Sequence, residues 1–225
     1  MEQPELFPPE AGHIGTDESG KGDYFGPLVV AAFFLPEGQE GVLAELGVKD
    51  SKRTSDNRAR EVADLLRRGY THSVVAIGPE KYNQLYERLR NLNRLLAWGH
   101  ARAIENILLE KNVRMAVTDQ FGDKAFVLQA LMKKGKAIEL VQKPKAEEDP
   151  AVAAASLLAR AEFLKRLYFL SKDVGLDLPK GASTLVEEAA VKLIHKHGAE
   201  ALQRTAKVHF KMTGRILEAA RKGKG

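Results

Sequence analysis

A chain of 225 residues is long enough for one hydrophobic core with an appendage, and 44% hydrophobic with 29% charged residues is the make-up of a folding chain, not a disordered one. Cysteine is absent, which excludes a disulfide framework, a thiolate metal site and a cysteine nucleophile, and leaves oxygen or histidine to hold any metal. Lysine and arginine outnumber aspartate and glutamate by 35 to 30, and residues 201–225 hold seven basic side chains against Glu218, a footprint suited either to a polyanion or to a solvated helix end.

Residues 1–12 contain three prolines and no periodicity and read as a flexible leader, with one domain over residues 13–225. The start lacks the basic and apolar stretches of a signal peptide, and no apolar run reaches the roughly 18 to 20 residues of a membrane span, so a cytoplasmic protein without a membrane partner is expected. Residues 14–19 and 27–35 read as strands joined by the turn Gly20-Lys21-Gly22-Asp23-Tyr24-Phe25-Gly26, a hairpin signal. Further strands are predicted at 70–78, 114–119 and 137–142. Helices are predicted at 56–68, 79–90 and 124–134, and Leu92, Leu95, Leu96, Ala103, Ile104, Ile107 and Leu108 recur at helical spacing over 91–111. Trp98, inside that apolar helix, is assigned to the core. Three more helices follow the fifth strand, at 151–170, 184–197 and 212–222. A hairpin first, then strands separated by helices, then a helical end predict an α/β protein: a mixed five-stranded sheet flanked by helices, with a helical C-terminal extension.

Most acids are scattered among basic residues on helix faces, where solvation explains them. Three groups are different. Asp17 and Glu18 interrupt the first apolar strand, Asp119 ends another, and Glu147-Glu148-Asp149 precede a helix that opens Ala151-Val152-Ala153-Ala154-Ala155-Ser156. A carboxylate in a core strand needs compensation for its lost solvation, and a shared hard cation such as Mg²⁺ or Mn²⁺ supplies it for several at once. Converging carboxylates with a basic periphery are the components of phosphodiester hydrolysis with two such ions. Adjacent strand residues face opposite ways, so Asp17 and Glu18 reach one site only if the strand bends or one side chain rounds its end. His195 and His197, two apart on a helix, read as surface residues.

Gly15-Thr16-Asp17-Glu18-Ser19-Gly20-Lys21-Gly22-Asp23-Tyr24-Phe25-Gly26-Pro27 closely resembles the opening motif of ribonuclease HIII, a bacterial type 2 ribonuclease H. The same holds for Asp50-Ser51-Lys52, the block from Asn91 through Trp98 to His100, Thr118-Asp119-Gln120-Phe121, Lys145-Ala146-Glu147 with Ala153-Ala154-Ala155-Ser156, and Lys207-Val208-His209-Phe210-Lys211. The resemblance implies an RNase H fold and an endoribonuclease that cuts the RNA strand of RNA/DNA hybrids, leaving 5′-phosphate and 3′-hydroxyl, with two Mg²⁺ or Mn²⁺ ions. It maps the family's four acids onto Asp17, Glu18, Asp119 and Glu147, with Glu148 and Asp149 as neighbouring candidates for the fourth.

It also implies substrate contacts from Gly20, Lys21, Gly22, Ser51, Lys52, Lys145, Lys207 and His209, although His209, beside Phe210, reads equally as a residue that packs locally. A monomer is expected. Only a dozen residues precede the catalytic motif, where ribonuclease HIII proteins commonly carry an extra substrate-binding domain. One alternative is a ribonuclease HII-like enzyme acting at single embedded ribonucleotides. That family's C-terminal junction-sensing tyrosine has no counterpart here, since the last tyrosine is Tyr168. The other alternative is a non-enzymatic nucleic-acid-binding module with structural acids.

Overall fold

The computed structural model describes residues 10–48, 54–119, 123–131 and 135–222. Five strands form one sheet: β1 (Gly12–Ser19), β2 (Leu28–Pro36), β3 (His72–Ile77), β4 (Met115–Asp119) and β5 (Glu139–Lys143), in the order β3-β2-β1-β4-β5. The helices are α1 (Glu40–Glu45), α2 (Asp56–Gly69), α3 (Pro79–Leu89), α4 (Leu92–Leu108), α5 (Lys124–Ala130), α6 (Pro150–Val174), α7 (Thr184–His197), α8 (Ala201–Thr205) and α9 (Met212–Lys222). The mixed α/β architecture is the expected one. The sequence reading missed α1 and α8, whose five or six residues are too short for a periodic signal.

The chain divides into two compact units, one of residues 1–18, 30–75 and 91–161, the other of 19–29, 76–90 and 162–225. In the first, β1 runs parallel to β4 and β4 parallel to β5. The Glu37 amide donates to the Ala11 carbonyl at 3.2 Å, placing the start of β1 at the end of β2 as a hairpin requires. Residues 10–12, expected in the leader, are tied into this unit: the Glu10 amide donates to the Asn112 carbonyl (2.9 Å), and the Glu10 carboxylate pairs with Lys111 (2.8 Å).

Strand alternation sorts the side chains of this unit. One face carries Ile14, Ala116 and Leu140 against Ala97, Ala101, Ile104 and Ile107 of α4 and Val127 of α5. The other carries Val117 and Val141 against Ala146 and Val152. Gly15 lets α6 approach this second face, since a Cβ there would lie 2.2 Å from the Ala151 carbonyl carbon. Trp98 corrects the expectation of a core residue. It is 43% exposed, because Arg94, Trp98 and Arg102 form the solvent stripe of α4 while Leu95, Leu96, Gly99 and Ala103 form the buried one.

In the second unit, backbone bonds clamp the glycine turn. Gly26 donates to the Thr205 carbonyl (2.9 Å), Lys207 to the Tyr24 carbonyl (2.8 Å) and Tyr24 to the Gly181 carbonyl (2.8 Å). Asn83 of α3 donates to the Ala206 carbonyl (2.9 Å) and accepts from the Val208 amide (3.1 Å), bracing the segment that holds the turn. Among the described residues no helix is long and apolar enough to cross a membrane.

Candidate active site

The register Thr16↔Thr118 puts Asp17 and Asp119 at matching positions at the C-terminal ends of two neighbouring parallel strands. Both follow a residue that faces α4, so both belong to the opposite, α6 face. On that face Ser156 of α6 hydrogen-bonds Asp17, which also accepts from the Glu18 amide at 2.8 Å. Burial, and after it the charge of Glu18, push the Asp17 carboxyl from 3.8 up to about 6. A carboxylate so desolvated and crowded is poised to take a cation.

Glu147 enters from the short 3-10 turn Ala146–Glu148, which follows β5 and precedes α6. Its position is tied to Asp119, whose Oδ1 accepts from the Ala146 amide at 3.4 Å. Glu147 is half-buried whereas Glu148 is exposed. Asp149 is committed elsewhere: its carboxylate accepts from the Ala151 amide at the start of α6 (2.9 Å) and meets His13 Nε2 at 2.9 and 3.1 Å. Burial acts to raise its pKa, but the bond and charge of His13 and the α6 amides outweigh it and hold the carboxyl below its usual range.

Glu18 lies on the other face. β1 runs regularly to Ser19, so the carboxylate points to α4 and meets His100 Nε2 at 3.2 Å. The strand does not bend to bring the two acids side by side, but Glu18 stands at the strand end within electrostatic reach of Asp17, whose carboxyl its charge raises. Among the described residues no three acidic or histidine side chains stand close enough together to hold a metal ion. The donor set nevertheless fits a hard divalent cation: it is all carboxylate, and two of its members share one sheet face at one strand end, with Glu147 tied to the second through the neighbouring Ala146 amide.

The residues expected at substrate divide. Lys21, Gly22 and Lys145 are exposed, with open space around Gly22. Gly20 is buried with φ +86°, and a Cβ there would lie 2.2 Å from the Pro27 carbonyl oxygen, so the turn itself requires glycine. Ser51 and Lys52 lie outside the described residues. Lys207 corrects the expectation of a phosphate contact. It is wholly buried, and its ammonium donates to the carbonyls of Asp23 (2.7 Å) and Gly26 (2.8 Å), with Phe25 at 3.5 Å. Burial lowers its pKa to about 7 against the opposing charge of Asp23.

His209 packs between rings, 4.1 Å from Tyr86 and 4.8 Å from Phe210 by centroids. Burial and then the Lys207 charge lower its pKa, and its ring contacts are local ones. His195 and His197 are exposed, as expected. The sequence reading gave no role to His100, although a polar residue one turn beyond Leu96 in an apolar stripe was the available signal.

The ribonuclease HII family model matches residues 14–213. Ribonuclease HIII of Protochlamydia amoebophila (strain UWE25) is 45% identical over 205 residues, covering 91% of this chain and 68% of the relative. The chain belongs to the ribonuclease HIII family. Among solved structures, Bst-RNase HIII in complex with Mn²⁺ superposes with a TM-score of 0.88 at 34% identity, over 95% of this chain and 71% of that one. Aquifex aeolicus RNase H3 superposes with a TM-score of 0.72 at 32% identity, over 88% and 72%. These likenesses establish the RNase H fold, and the identity to ribonuclease HIII proteins disfavours the binding-module and ribonuclease HII-like alternatives.

Proposed function

We infer that the protein is an endoribonuclease that cleaves the RNA strand of RNA/DNA hybrids, using Mg²⁺ or Mn²⁺ held by Asp17, Glu18, Asp119 and Glu147. The observation that carries this reading is the pairing of Asp17 and Asp119 on one sheet face at the ends of parallel strands, in a chain of the ribonuclease HIII family. When bound, two divalent cations lower the pKa of a water and stabilise the leaving 3′ oxygen, which makes 5′-phosphate and 3′-hydroxyl the products.

The protein's own residues prepare that chemistry. Asp17 is held by the Glu18 amide and Ser156 and gives up its proton above about pH 6. Asp119 is oriented by the Ala146 amide. Asp149 caps α6 and so fixes the turn that presents Glu147. Lys21, Lys52 and Lys145 supply positive charge for the nucleic-acid backbone, with Ser51 next to Lys52 in sequence, and the backbone of Gly20 and Gly22 offers contact to the 2′-hydroxyl that distinguishes RNA from DNA. Lys207 acts one step back, by holding the carbonyls of that turn.

The test is digestion of a uniform RNA/DNA hybrid beside a duplex with one embedded ribonucleotide, with Mg²⁺, with Mn²⁺ and with EDTA. Cation-dependent cutting at many positions in the hybrid, with the single ribonucleotide left intact, is expected. Binding without cleavage in either metal overturns the reading.

A further inference from the structure

Of the six histidines, His100 is the completely buried one. Burial of an imidazole is costly unless its nitrogens are satisfied. Nδ1 lies 2.8 Å from Thr16 Oγ1 and 3.5 Å from Thr118 Oγ1, and Nε2 lies 3.2 Å from Glu18 Oε2. Thr16 and Thr118 are register partners on β1 and β4, so a single ring on α4 touches both strands one residue before Asp17 and Asp119. The Thr118 hydroxyl also lies 3.4 Å from the Asp119 carbonyl, which extends the chain of contacts to that residue's backbone.

Nε2 faces the Glu18 carboxylate, which accepts, and Nδ1 faces the Thr16 hydroxyl, which can donate to or accept from a ring nitrogen, while the Thr118 hydroxyl donates to the Asp119 carbonyl. Each group in the chain thereby fixes the next, and the Glu18 carboxylate at its end is 8% exposed.

We propose that His100 is a positioning residue of this enzyme: it fixes the Glu18 carboxylate at the end of β1 and, through Thr16 and Thr118, holds the two strands at the relative height that matches Asp17 to Asp119. The proposal rests on the assignment of Glu18 to the acid site. Residues that orient a ligand from behind alter metal affinity or turnover by about 10–100-fold when replaced, and that is the scale expected here.

The test compares His100→Asn with His100→Gln. The glutamine amide falls near the position of Nε2 and still reaches Glu18, whereas the shorter asparagine falls near Nδ1 and reaches the threonines alone. Mn²⁺ binding is measured by calorimetry without nucleic acid, thermal stability in EDTA, and kcat and KM on an RNA/DNA hybrid. His100→Asn is expected to weaken Mn²⁺ binding and lower kcat by about 10–100-fold with little change in KM, and His100→Gln to recover most of both. Thr118→Val, a milder change of similar volume, is expected to shift Mn²⁺ affinity in the same direction by a smaller factor.

If the variants lose thermal stability alike while Mn²⁺ affinity and kcat stay at the wild-type level, His100 is a packing residue and the proposal falls. Glu18→Gln separates the two layers of the argument. Should it leave Mn²⁺ binding and turnover unchanged, the assignment of Glu18 itself is wrong and the proposal goes with it. Should it cripple both while His100→Asn does not, the positioning role alone is refuted.

Discussion

Asp17→Asn is expected to make the protein more stable and inactive at once. The rise of the Asp17 carboxyl from 3.8 to about 6 is a measure of what ionised burial costs. At 1.36 kcal/mol per pH unit it amounts to about 3 kcal/mol. The sign follows from linkage: between 3.8 and 6 the folded state binds the proton and the unfolded state does not, so stability falls as pH rises through that window and the full cost stands above it. Asparagine keeps the volume and can still accept from the Glu18 amide but carries no charge. In EDTA at pH 7.5 the variant should melt higher, by roughly 6–12 °C for a chain of this size. The gap should shrink as pH falls below 6. Adding Mn²⁺ should raise the melting temperature of the wild type and not of the variant, because only a binder of the folded state stabilises. An Asp17→Asn protein that is no more stable in EDTA, or that cuts hybrid within a few fold of wild type, refutes the reasoning.

Glu147→Gln is expected to lose cleavage by orders of magnitude and Glu148→Gln to stay near wild type, checked by initial rates on hybrid. Asp149→Asn should retain turnover per folded molecule, because asparagine still caps α6, and lose about 0.5–1.5 kcal/mol of stability with the weakened His13 contact, checked by urea unfolding. Lys21→Ala and Lys52→Ala should each flatten the log–log salt dependence of hybrid binding by roughly 0.9, measured by titration at several salt concentrations. Lys207→Met should leave that slope unchanged and destabilise the protein by at least about 2 kcal/mol, since buried carbonyls lose their donor.

The fold was legible where local pattern and tertiary role agree. The stripe from Leu92 to Leu108 became α4, and the hairpin signal around Gly20 to Gly26 became the link between β1 and β2. Trp98 misled because hydrophobicity was read in place of position. It sits with Arg94 and Arg102 at spacings of four, so the helix period itself assigned it to solvent. Lys207 misled in the opposite sense, because a lysine among basic residues reads as a surface charge. Its burial follows from the free carbonyls of a glycine turn distant in sequence, which no local pattern reports.

The acids were legible as a group, since carboxylates in apolar strands stand out, but their division between two faces depends on how regular β1 is. A strand that continues to Ser19 sends Thr16 and Glu18 to α4 and Gly15 and Asp17 to α6. The two faces demand different neighbours. On the α6 side a small residue, Gly15, admits the helix, and Ser156 meets the acid. On the α4 side a polar ring sits within an apolar stripe to receive a carboxylate. His100 is therefore what the Asp17-Glu18 pair implies once the strand is known to be straight: a second acid on the α4 side needs its own partner, and α4, which packs against that face, supplies it. The same reasoning separates Glu147 from Asp149. Consecutive side chains diverge: Asp149 caps α6, Glu148 is exposed, and Glu147 is the half-buried carboxylate next to the Asp119-Ala146 contact.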